Sequence, residues 1–151
     1  MTERPYSLEA TYYRTALLLG VVQGDKVHRW AEQAIDREPE PPPAFFEIVS
    51  VPPGDLTRLR HALWPLVIDP EPPAVLEAVL GLLHADLVAD RRALHDTLAI
   101  LRQMRSMLRL PAALYAALNA TLLAYAHDPQ RAVILEWLGQ FSAPTFELLG
   151  H

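Results

Sequence analysis

DKVHRWAEQAI, residues 25–35, is the stretch that decides the fold class. Val27, Trp30, Ala31, Ala34 and Ile35 stand at i, i+3, i+4, i+7 and i+8. That spacing gathers five apolar side chains on one side of an α-helix. Glu32 and Asp36 fall opposite them and are expected to face water. Asp25, just ahead of the stripe, is expected to be the N-cap. The same period recurs outward along the chain. After Asp55, a second expected N-cap, come Leu56, Leu59, Leu63 and Leu66, with Pro65 ending or kinking the helix. Asp128-Pro129 reads as an N-cap and a proline at the first helical position. Val133, Ile134, Trp137, Leu138 and Phe141 then form one stripe.

Helices are expected at 7–19, 25–37, 43–50, 55–66, 73–84, 86–108, 112–126 and 129–139. Strict polar–apolar alternation is absent, and FFEIVSV at 45–51 is the one place where a strand could hide. Fourteen prolines punctuate the chain, clustered at 39–43, 51–54 and 69–73. The expected fold is therefore all-α: one helical bundle of seven or eight helices over residues 1–151, with short proline-rich loops. The apolar tail from residue 140 to 151 is expected to dock on its own domain or on a partner.

The bulk composition narrows the function classes. Hydrophobic residues make up 51% and charged residues 21% of 151, a globular balance. Zero cysteines remove disulfides, thiolate metal sites and cysteine nucleophiles. MTERPYSLEA, residues 1–10, lacks the apolar core of a secretory signal, and no apolar run approaches twenty residues. A cytoplasmic protein without a membrane span is expected. The net charge of −5 disfavours nucleic acid as partner, because phosphate neutralisation carries most such affinity. Arginine outnumbers lysine twelve to one, which together with abundant Ala, Leu and Pro suits a GC-rich bacterial genome.

Polar density is highest in HADLVADRRALHD, residues 84–96. If the helix over 86–108 is continuous, Leu94, Thr97, Leu101, Met104 and Leu108 mark its buried side. Asp86 and Asp90 then lie on that same side, one turn apart, where two carboxylates can contribute to a divalent metal site. The competing expectation, and the stronger one, makes Asp86 the N-cap of a helix starting at Leu87. His84 and His95 are about 16 Å apart along a helix and cannot share one ion. On the other side Arg91, His95, Arg102, Arg105 and Arg109 form a basic band, interrupted by Leu98. It is the candidate partner-binding surface, weighed against simple solvation or pairing with the chain's own acids.

Other candidates have structural readings. His28 and Glu32 form an i, i+4 surface pair; His61 is expected half-exposed; His127 sits at a helix C-terminus. Trp30, Trp64 and Trp137 are expected core anchors, and Tyr12 and Tyr13 are expected to divide between core and rim. LPAALYAALNATLLAYA at 110–126 is apolar nearly all round and is expected to be a central helix, with an oligomer seam as the alternative. No G-x-S-x-G, P-loop or H-E-x-x-H motif occurs.

The run GVVQGDKVHRWAEQAI at 20–35, followed by prolines and AFFEIVSV, resembles small uncharacterised bacterial helical proteins with a W-A-[DE]-x-x-I helix core. The resemblance is confined to residues 20–51 and implies a bacterial helical domain, with no functional residue assigned. Function is expected to be that of a non-catalytic protein-interaction or regulatory module, of adaptor or immunity type. It takes no cofactor, and its partner is another protein or a second copy of itself. The alternative is a metal-dependent hydrolase of a small phosphorylated substrate, built on Asp86 and Asp90.

Overall fold

A computed structural model of the chain describes residues 4–144. Among them are eight α-helices, one 3-10 turn and no strand. The fold is all-α. The helices group into two compact units, one of residues up to Val75 and one from Leu76 to Pro144.

The first unit contains α1 (Arg4–Leu19), α2 (Gly24–Arg37), α3 (Pro43–Ser50), α4 (Leu56–Leu63) and the 3-10 turn Trp64–Leu66. α2 buries Val27, Trp30, Ala31 and Ala34, the face that periodicity selects, and leaves Glu32 and Asp36 exposed. Trp30 is the hub of an aromatic cluster. Its ring lies 5.0 Å from Tyr13, 5.2 Å from Phe45 and 6.4 Å from Tyr6. Tyr12 stacks edge-on against Tyr13 at 5.1 Å. Both tyrosines are buried, so neither sits at the rim as expected. Two polar tips of the cluster are partnered: Trp30 Nε1 donates to Glu9 at 3.1 Å and the Tyr6 hydroxyl to Glu38 at 2.6 Å.

Segment 45–51 resolves as helix, since α3 runs from Pro43 with proline at its first position. α3 is held from outside its own sequence. His28 Nε2 meets the carbonyl of its C-cap residue Val51 at 2.6 Å, so His28 serves this junction rather than pairing with Glu32. α2 begins at Gly24 with Gln23 as N-cap, and Asp25 stands in the first turn instead of capping. Gly24 lies so close to the Pro53 carbonyl that a Cβ there would collide with it. Asp55 does cap α4, accepting from Arg58 N at 3.2 Å. Pro65 converts the end of α4 to a 3-10 turn, as its missing N–H requires.

The second unit contains α5 (Pro73–Val88, chiefly from Leu76), α6 (Leu94–Met107), α7 (Ala112–His127) and α8 (Arg131–Leu138). The helix expected over 86–108 does not exist as one piece. α5 continues through Asp86 to Val88 because its apolar stripe extends to the buried Leu87. Asp90 then adopts φ 57°, the left-handed conformation that stops the helix. Arg91 N donates to Asp86 O at 2.8 Å and Asp90 N to Leu87 O at 3.3 Å, the paired bonds of a Schellman ending. Gly20, at φ 74°, closes α1 in the same manner.

α7 departs furthest from expectation. It buries only Leu118 and Leu122, while Tyr115 and Leu123 are 46% and 61% exposed. It is a surface helix bearing an apolar outer face, not a central one. Asp128 follows it as its C-cap and takes the Gln130 side-chain amide on its carboxylate; α8 starts later, at Arg131. Phe141 stacks on Trp137 at 5.4 Å and Ser142 lies against Gly81, so the tail begins by folding back on this unit. The remainder of the tail call, 145–151, lies outside the described residues.

Candidate functional site

Asp86 and Asp90 turn their side chains to different partners. The Asp86 carboxylate is buried and both oxygens are taken: Oδ1 accepts from Arg91 Nε at 2.9 Å and Oδ2 from Arg92 Nη2 at 3.2 Å. Its backbone carbonyl accepts from the same two residues. The residue is therefore a clamp on the α5–α6 turn, and lies inside α5 rather than capping a helix. The Asp90 side chain is 91% exposed and approaches Arg131 at 3.7 Å. Among the described residues no three His, Asp or Glu side chains gather as a metal-holding group.

The basic band is also divided. Arg91 belongs to the turn and is committed to Asp86. Arg105 Nη1 donates to Asn119 Oδ1 at 3.0 Å, tying α6 to α7. Arg109 is exposed beyond the end of α6. Leu98, in the middle of the band, is buried with Thr97, Ile100, Leu101 and Met104 on the inner face. Only His95 and Arg102 remain as exposed side chains seven residues apart on α6.

A different set of residues does converge. An open groove of about 870 Å³ lies in the first unit. It is lined by Arg14 from α1, Ala44, Glu47 and Val51 from α3 and its C-cap, and Thr57, Arg58, Arg60, His61 and Ala62 from α4, with Trp64 and Pro65 from the turn. Local sequence explains the arrangement. Leu59, Ala62, Leu63 and Leu66 occupy one side of α4 and its turn and are buried. Thr57, Arg60, His61 and Trp64 repeat the same i, i+3, i+4, i+7 spacing on the neighbouring side. Once the leucines go inward, that second stripe must look into the groove.

Trp64 is 48% exposed, contrary to the core-anchor expectation. The guanidinium of Arg14 lies over its ring, 4.7 Å from the centroid. This contact holds both planar groups in defined positions at the groove edge. Arg58 approaches the capping Asp55 at 3.9 Å with both groups well exposed, a weak pair. Among the described residues no carboxylate stands within ion-pair distance of Arg14 or Arg60.

The groove offers guanidinium donors, one imidazole, one carboxylate and an aromatic face. Arginine keeps its proton and cannot act as a base, so the dominant chemistry is recognition of anions with planar geometry. Sequence reasoning singled out His61 but missed the groove, because Arg14 and Glu47 reach it from distant helices. The legible signal was the second stripe on α4. No family model, curated protein or solved structure matches the chain.

Proposed function

We propose that this chain is a non-catalytic protein-interaction or regulatory module whose docking surface is the groove of Arg14, Arg58, Arg60, His61 and Trp64. The observation that carries this reading is an open, partly apolar concavity holding Arg14 and Arg60, neither of which has a carboxylate within ion-pair distance among the described residues. Arginine and tryptophan are the residues that most often anchor protein interfaces. The remaining dense polar cluster, around Asp86, serves helix termination. A reducing bacterial cytoplasm suits a chain without cysteine.

A photo-crosslinking residue at Thr57, which is exposed in the groove, tests the reading in the native cell extract. The expected result is a discrete protein adduct that the double variant Arg58→Glu, Arg60→Glu abolishes. Absence of any adduct, or one indifferent to the arginines, overturns it.

A further inference from the structure

We infer that the groove takes a short acidic segment of a partner protein, with carboxylates flanking an aliphatic or aromatic side chain. This rests on the groove being the docking surface, and adds the chemistry of what docks.

Charge complementarity carries the first step. Arg14, Arg58, Arg60 and His61 face a single lining acid, Glu47. Residues 1–75 otherwise carry an excess of acids over bases, so the groove is a cationic hollow in an acidic surface. Concave charge of one sign focuses the field and attracts its counterion. Among the described residues Arg14 and Arg60 have no carboxylate within ion-pair distance, and their forked donors match one in bidentate geometry. The second step is the apolar lining. Ala44, Val51, Ala62 and Pro65 form floor and wall, and half of the Trp64 ring is open. A bare phosphate or a polar acidic tail would leave that surface wet, whereas a peptide side chain would cover it. The third step is preorganisation. Stacking on Trp64 restrains Arg14 before any ligand arrives, which lowers the entropy lost on binding.

The same reasoning disfavours a long polyanion. A nucleic acid strand leaving the groove would run over surface that repels it, and the chain as a whole carries −5. A short peptide meets only the cationic hollow.

The test uses the full chain and three probes: a peptide of alternating Glu or Asp with Leu and Phe, its Gln/Asn counterpart, and a single-stranded oligothymidylate. Binding is read by titration calorimetry and by tryptophan emission, with Trp64→Phe identifying the responding ring. The acidic peptide is expected to bind with salt-sensitive affinity, at least about tenfold tighter than its amide counterpart. Arg60→Gln and Arg14→Gln are each expected to weaken it about tenfold. Glu47→Gln, at an exposed position where folding is not at stake, is expected to tighten it about twofold. Equal binding of the amide peptide, tighter binding of the oligonucleotide, indifference to Glu47→Gln and Arg60→Gln, or no peptide binding at all each overturns the inference. In the last case an arginine-dependent crosslink at Thr57 still upholds the docking surface, so the two readings fail separately.

Discussion

A carboxylate near the end of a helix normally opposes the dipole, because the C-terminal carbonyls already carry partial negative charge. Asp86 is stable in the last turn of α5 because the next residues bring two guanidiniums back onto it. Asp86→Ala is expected to cost about 2–3 kcal/mol, by stranding the half-buried Arg92 and loosening the turn. Urea unfolding would show this as a lower midpoint at unchanged slope. Four residues on, Asp90 holds a left-handed conformation that an L side chain adopts at a cost. Asp90→Gly is expected to raise stability by about 0.5–1 kcal/mol, since the exposed contact to Arg131 contributes little. A fall in melting temperature would contradict that account.

Tyr6 supplies the pH dependence. Burial, then the hydrogen bond and negative charge of Glu38, push its hydroxyl up to about 12. The fold favours the neutral phenol, so its contribution is complete below the ordinary tyrosine value of about 10. It is lost as pH rises through about 12. Urea midpoints followed through the alkaline range should decline across that window, and Tyr6→Phe should flatten the decline.

α4 and α7 show how an element distributes its faces. In α4 one stripe is leucine and alanine and its neighbour is polar with one indole, so the direction of each follows from transfer free energy alone. α7 is apolar nearly all round, and local composition offers little preference. The tertiary structure turns Leu118 and Leu122 inward and leaves Leu123 and Tyr115 outward. Leu118→Ala is expected to cost about 2–4 kcal/mol. Leu123→Lys is expected to change stability by less than about 0.5 kcal/mol. Thermal denaturation of the two variants side by side checks the assignment, and a large loss at Leu123 would mean that its face is covered. The helix spans legible in the sequence, such as 43–50 and 112–126, match α3 and α7 closely because proline and apolar period are local signals. The span 86–108 misled because Asp can start a helix or, in the left-handed conformation, end one. Periodicity through Leu94, Thr97, Leu101 and Met104 was correct within α6 yet silent on where α5 stopped.

At the scale of the molecule, contacts between residues far apart in sequence decide what the elements do. Gly24 meets the Pro53 carbonyl, twenty-nine positions away, and no pattern around either residue announces it. Gly24→Ala is expected to destabilise by about 1–3 kcal/mol because backbone must move, whereas Gly54→Ala enters open space and should be neutral or stabilising. The groove has the same origin. Trp64 reads as core, and no sequence pattern singles out Arg14, until the packing of α1 on the end of α4 stacks one on the other.

Helical class, the inner faces of α2 and α4 and the proline-set helix starts belong to the sequence itself, since each depends on neighbours within about two turns. The division into two units, the outward face of α7 and the assembly of the arginine groove belong to the tertiary structure alone. Those outcomes depend on which apolar surfaces meet across long stretches of chain, and burial is a property of the pair of surfaces that no single segment carries.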